Sequence, residues 1–208
     1  MNSTPDQLQA VADALRNGGV AVYPTETLYA IGCRGDSEEA VRNVSRLKAR
    51  PEGKPLPLLV GSMDGLEKVC GPATDVAARL MNTFWPGPLS ILVPAGEHLA
   101  SGVSDERGLT SVRWTAHPVA ARLSEMVGAP LVATSANRSG QPPAALPEEL
   151  DKELLAGADA FYSGRPYPSG GAPSTVVEVL DDGSLRLVRV GAVSGRALLQ
   201  EGFALERE

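Results

Sequence analysis

Residues 118–134 read PVAARLSEMVGAPLVAT. Proline suits the first turn of a helix, and Val119, Leu123 and Met126 recur on one helical face. Gly128 then supplies the left-handed stop that ends many helices. Leu131 to Thr134 follow as a short apolar run, too brief for a helix and suited to a buried strand. Helix, glycine stop, buried strand is the repeating unit of α/β architecture, so the fold class turns on whether the unit recurs.

It recurs in both directions. Upstream, Ser111–Trp114 and Leu89–Val93 read as strands, and Asp75–Phe84 as a helix through Val76, Leu80 and Phe84. Leu56–Val60 is an apolar strand. Ser37–Lys48 is a helix with Ala40, Val41, Val44 and Leu47 inward. Val20–Tyr23 is a strand, preceded by a helix carrying Leu8, Val11, Ala12 and Leu15. Downstream come a helix over Pro147–Leu155, strands at Ala160–Tyr162 and Thr175–Leu180, and an Asp182-Gly183 turn into Leu185–Val190. A last short helix starts near Ser194. The pattern predicts a single α/β domain over residues 1–208, with a mixed sheet and flanking helices. The Gly and Pro content of residues 164–173 suits a lid.

Composition narrows the function. Of 208 residues, 43% are hydrophobic and 21% charged, an ordinary globular balance. Aromatic residues are 4%, too few for a surface of base-stacking platforms. Nineteen Lys and Arg against 25 Asp and Glu leave a net charge of −6, so nucleic acid would be met only through a local basic patch. Cys33 and Cys70 have no metal-type spacing and suit a reducing compartment. With no signal-like start and no apolar run long enough to span a bilayer, a cytoplasmic location is expected, without membrane contact. The chain lacks a Walker loop, a dinucleotide fingerprint, H-E-x-x-H and a G-x-S-x-G elbow.

Polar motifs fall beside the apolar strands, each with two readings. Pro24-Thr25-Glu26-Thr27 is a turn or a substrate cradle. Lys48, Arg50 and Lys54 either complement a helix dipole or grip a triphosphate. Thr134-Ser135-Ala136-Asn137-Arg138-Ser139-Gly140 is a polar connection or a phosphate cradle. Ser174 and Arg189 belong to an ordinary hairpin or reach a ligand from it. Arg113 is a solvated edge arginine or a site residue.

Taken together, PTETLYAIG, LKARPEGKPLPLLV, FWPGPLSILVP, TSVRWTAHPVAARL, ATSANRSGQPP, PSTVVEVL and LVRVGAV resemble, in content and order, the YrdC/YciO family. The resemblance implies a twisted mixed sheet around a large cationic cavity. It also implies the activity of short-type threonylcarbamoyl-AMP synthases, nucleotidyltransferases in which L-threonine, bicarbonate and ATP give threonylcarbamoyl-AMP and pyrophosphate. A downstream threonylcarbamoyl-transferase complex then modifies tRNA, so this chain's own tRNA binding would be weak or indirect. By the family pattern, Lys48 and Arg50 are catalytic. ATP is held by Lys48, Arg50, Lys54, Ser135, Asn137 and Arg189, and threonine by Thr27, Arg113 and Ser174. Mg²⁺ enters with ATP, bound mainly by its phosphates and without a firm protein ligand. The chain departs from the pattern at Leu59, where many synthases carry His, at Ala30 for Gly, and at Trp114 and Pro143. The first two departures are expected at the amino-acid end of the cavity. A YciO-like paralogue binding RNA or nucleotide, without threonine-dependent synthesis, is the alternative.

Overall fold

The computed structural model describes residues 4–51 and 53–206. The elements are α1 (Thr4–Arg16), β1 (Ala21–Pro24), β2 (Tyr29–Gly32), α2 (Glu38–Leu47), β3 (Leu58–Val60), α3 (Met63–Glu67), α4 (Asp75–Phe84) and β4 (Leu89–Pro94). There follow β5 (Leu109–Trp114), α5 (Pro118–Val127), β6 (Leu131–Val132), β7 (Thr134–Ser135), α6 (Lys152–Ala156), β8 (Ala160–Phe161), β9 (Thr175–Val179), β10 (Leu185–Arg189) and α7 (Gly195–Gln200). The α/β class and the mixed strand directions are as the sequence predicts.

The single sheet is not. The strands form a four-stranded sheet, β7-β2-β1-β8, and a six-stranded sheet, β10-β9-β4-β5-β3-β6. The run read as one strand over Leu131–Thr134 is shared between them. Leu131 and Val132 pair antiparallel with Leu59 and Leu58 in the large sheet. Thr134 and Ser135 pair with Ile31 and Ala30 in the small one. Ala133 is the crossing point, its N–H donating to Pro57 O at 2.9 Å. Two further ties hold the sheets together here. Tyr23 Oη donates to Val132 O at 2.6 Å. Gly32 lies so close that an added Cβ would sit 1.7 Å from Val132 O, a contact that only glycine permits.

Three other expectations change. Residues 29–32 form a strand, β2, which alternation did not flag because all four are buried. The helix expected over Pro147–Leu155 is a 3-10 turn at Pro147–Glu149 followed by α6. Asp151 divides them, since its carboxylate caps Leu154 N–H and a capping residue cannot also be interior helix. The short helix α3, capped by Ser62, had no periodicity long enough to reveal it.

The core follows from strand alternation with both faces covered. Val22, Ile31, Leu58, Leu89, Ile91, Val112 and Val132 feed one apolar cluster. Their neighbours Tyr23, Ala30, Leu59 and Leu131 feed a second, beneath Val11 and Leu15 of α1 and Val119 and Leu123 of α5. Successive residues point to opposite faces, so one strand serves both clusters. No helix among the described residues is long and apolar enough to cross a membrane.

Candidate functional site

The seam between the two sheets is not filled with apolar side chains. It holds a hollow of about 150 Å³. The small sheet contributes Tyr29, Ala30, Thr134 and Ser135, and the large sheet contributes Ser90, Arg113 and Arg189. The β1–β2 turn adds Thr25 and Thr27, and loops add Arg50 and Ser174. Two larger, shallower hollows adjoin it. One, of about 280 Å³, shares Arg50 and continues to Lys54. The other, of about 420 Å³, begins at Ala136 and includes Asn137, Arg138 and Pro143.

Residues 24–29 show how both readings of one motif hold at once. Pro24 pairs with Tyr29, so Thr25–Leu28 close a hairpin. Thr25 N–H and Oγ1 both donate to Leu28 O, at 3.1 and 2.7 Å. Thr25 therefore spends its hydroxyl on the turn, whereas Thr27, also buried, keeps its own for the hollow. Between them, Glu26 forms an ion pair with Arg113 and accepts the Ala116 N–H at 2.8 Å. Arg113 is only 6% exposed, which excludes the solvated-edge reading. Residues 169–170 of the expected lid are fastened to the same turn. Ser169 N–H donates to Glu26 O and Gly170 N–H to Thr27 O, both at 2.9 Å.

Ser174 and Arg189 meet across the β9–β10 hairpin. Arg189 donates from Nε and Nη2 to Ser174 O at 3.0 and 2.8 Å, and from Nη2 to Ser174 Oγ at 3.0 Å. The register of β10 shifts between Leu187 and Arg189, a β-bulge of the kind that re-aims a side chain. Gly191 allows the approach, because a Cβ there would lie 2.2 Å from Pro173 O.

Lys48, Arg50 and Lys54 diverge. Helix α2 ends at Lys48, and Ala49 takes a left-handed φ of 47°. Ala49 N–H donates to Arg46 O and Arg50 N–H to Ser45 O, the bonding of a Schellman stop. Alanine at that position costs about 1 kcal/mol relative to glycine, strain of the sort that gathers at functional sites. Beyond it, Arg50 turns to the hollow and is steadied by donating to Lys54 O (2.9 Å) and Pro55 O (2.8 Å). Lys48 is 3% exposed and reaches the loop after β7, donating to Ser135 O and, at 2.6 Å, to Asn137 O. It braces the loop with two of its three donors and does not line the hollow. Lys54 is exposed and outside the hollow proper. Asn137 Nδ2 donates to Arg138 O and Gln141 O (2.9 and 2.6 Å), leaving Oδ1 buried without a hydrogen-bond partner among the described residues.

The electrostatics are lopsided. Burial, then the neighbouring Arg50, depresses Lys48 from 10.5 to about 8. Burial lowers Arg50. Arg189 is lowered by its packed surroundings, then by Arg113 and Arg50. Burial pushes the Glu26 carboxyl up, but Arg113 and hydrogen bonds from the backbone and Thr115 outweigh it and hold the group below the usual carboxylate range. Among the described residues, one carboxylate, Glu26, is paired at a seam that holds the guanidiniums of Arg50, Arg113 and Arg189. Such an arrangement suits an anion carrying several charges.

Sequence reasoning missed Ser90, whose Oγ lies 3.3 Å from Ser174 Oγ. The available signal was a serine fully buried inside the apolar run LSILV. Of the departures, Ala30 lines the hollow as expected, but Leu59 does not. It is fully buried in the second apolar cluster because the residues of β3 alternate between faces. Trp114 packs against the first cluster, and Pro143 borders the Asn137 hollow.

A family model for Sua5, yciO and yrdC, described as telomere recombination, matches residues 13–191. The chain belongs to the Sua5/YciO/YrdC family. Among curated relatives, the threonylcarbamoyl-AMP synthase of Stenotrophomonas maltophilia is 37% identical over 183 residues, covering 86% of this chain and 97% of the relative. Among solved structures, P. abyssi Sua5 complexed with L-threonine superposes with a TM-score of 0.88 at 26% identity, over 99% of this chain and 60% of that one. E. coli YciO superposes with a TM-score of 0.78 at 28% identity, over 92% of both chains. This chain therefore spans about three fifths of the longer Sua5 protein and nearly all of the shorter relatives.

Proposed function

We propose that this member of the family is a threonylcarbamoyl-AMP synthase, a nucleotidyltransferase that joins L-threonine, bicarbonate and ATP. The observation that carries the reading is the surplus of positive charge at the seam. Arg50, Arg113 and Arg189 share one hollow with the hydroxyls of Thr27, Ser135 and Ser174, and among the described residues the one carboxylate paired with any of the three is Glu26, on Arg113. The names borne by the relatives point the same way.

In this reading the threonine carboxylate lies on Arg113, and its polar atoms meet Thr27 and Ser174. The amine loses a proton and bonds to the carbon of bicarbonate, releasing water and leaving a carbamate. A carbamate oxygen attacks the α-phosphorus of ATP in line with departing pyrophosphate, giving threonylcarbamoyl-AMP. No protein nucleophile is required. Positioning and charge stabilisation supply the catalysis, as in other transfers at phosphorus. Arg50 and Arg189 take the triphosphate, with Lys54 at its outer end, and Lys48 fixes the loop that presents Ser135 and Asn137. The Ser135 hydroxyl and the unpartnered Asn137 Oδ1 are hard oxygen donors that fit Mg²⁺, which neutralises phosphate charge when bound with ATP. The product passes to a downstream threonylcarbamoyl-transferase complex acting on tRNA, with at most weak or indirect tRNA contact here, in a cytoplasmic setting.

The test is pyrophosphate release from ATP, Mg²⁺ and bicarbonate with and without L-threonine. Threonine-dependent release is expected. Release that ignores threonine, or no release together with salt-sensitive RNA retention, would favour the YciO-like alternative.

A further inference from the structure

Glu26 is held more tightly than a turn residue needs to be. Its carboxylate is divided, one oxygen taking Arg113 Nη1 and the other the Ala116 N–H at the entry to α5. Its carbonyl accepts the N–H and Oγ of Ser169, at 2.9 and 2.8 Å. Strand β5, the start of α5 and the 164–173 segment therefore all fix this one residue. The side chains of the pair are 8% and 13% exposed, so the contact is well shielded from water.

The effect falls on Arg113. A guanidinium is planar, with five donors in a rigid fork. Holding Nη1 from one side fixes the rotation of that plane. No hydrogen bond among the described residues reaches Nε or Nη2 of Arg113, although Arg113 lines the hollow. Without an opposing charge, Arg113 would also be pushed from Arg50 and Arg189 by like-charge repulsion. We infer that Glu26 is a positioning residue for substrate selection: it occupies one edge of Arg113, so that the free edge faces the hollow and selects a small substrate bearing a carboxylate. This rests on the reading that Arg113 meets the carboxylate of threonine.

Steady-state pyrophosphate release by wild type, E26Q and E26D, with L-threonine and with threoninamide, tests it. Glutamine keeps the shape and an acceptor for Ala116, but sets an N–H₂ against a guanidinium. In E26Q the threonine KM should rise about tenfold or more, since a charge-assisted contact is lost or misaligned. The ATP KM should stay within about twofold, because uniform loss of binding would move both. The preference for threonine over threoninamide should shrink in E26Q and recover in part in E26D, which keeps the charge on a shorter stem.

Threonine and ATP KM values that rise together, or a melting temperature that falls while the carboxylate preference is kept, would overturn the inference. If E26Q does not fold, the same measurements on E26D decide it. A wild type that shows no threonine-dependent release overturns the synthase reading instead. Calorimetric binding of threonine and threoninamide to wild type and E26Q then decides the role of Glu26: a lost preference supports it, and an unchanged or absent preference overturns it.

Discussion

Two groups of arginines in this molecule use one side chain to opposite ends. On the outer face of the large sheet, Arg107 lies 3.0 Å from Asp105 and 2.6 Å from Glu178, and Arg186 lies 2.7 Å from Glu206 and 3.5 Å from Glu178. Hydrogen bonds donated to these carboxylates hold both guanidiniums above their ordinary range. At the seam, Arg50 and Arg189 are held below theirs, first by burial, and Arg189 also by its cationic neighbours. The outer group is complete in itself and asks for no ligand. Among the described residues the inner group has more guanidiniums than carboxylates to pair them, an imbalance that an anion would relieve. Saturation by carboxylates, rather than the number of arginines, separates a surface network from a binding site.

The sharpest way to break this comparison is Arg50→Ala. Turnover should fall about a hundredfold or more, the scale of losing a preorganised charge at a reacting phosphate. The fold should persist in circular dichroism, since among the described residues the Arg50 side chain is bonded only to backbone of its own loop. Turnover near wild type would remove Arg50 from the site.

Next in size is a thermal shift with pyrophosphate, a probe that carries charge and no nucleoside. At a hundred times its Kd it should stabilise the wild type by about 2.7 kcal/mol. Arg186→Ala should show the same shift and Arg189→Ala a smaller one. Equal shifts in both variants would erase the distinction between the two groups.

A smaller effect concerns Lys48. Its folded pKa of about 8 lies below the ordinary 10.5, so the unfolded chain binds more protons between those values. Stability from this residue is therefore lowest below pH 8 and recovers as pH rises towards 10.5. Chemical denaturation should show a steeper gain over that interval in wild type than in Lys48→Met, by on the order of a kcal/mol. Identical slopes would mean that Lys48 is not held under charge stress.

The smallest effect is expected from Arg186→Ala itself. Exposed pairs contribute little and weaken with salt. Turnover should be unchanged, with a slight fall in melting temperature that vanishes at high ionic strength. A large loss of activity would show that the outer network acts on the site.

Much of this protein is written locally in its sequence. Apolar spacing of 3.6 marks most helices, as at Pro118–Val127, and short apolar runs mark most strands, as at Thr175–Val179, because burial rewards each pattern one segment at a time. Cations and hydroxyls beside those strands, Arg50, Ser135 and Arg189 among them, could be chosen as candidates on residue type and motif order. What local pattern could not encode is who faces whom. Leu131–Ser135 divides between two sheets at Ala133, opening a seam where a continuous strand would have closed it. Glu26 finds Arg113 across 87 residues, and Lys48 braces Asn137 across 89. A bulge in β10 aims Arg189 while Leu59 turns away into the core. Periodicity fixes which side of an element is apolar. The charge left unopposed in a hollow depends on distances between elements far apart in the chain, and those exist only once the sheets have packed.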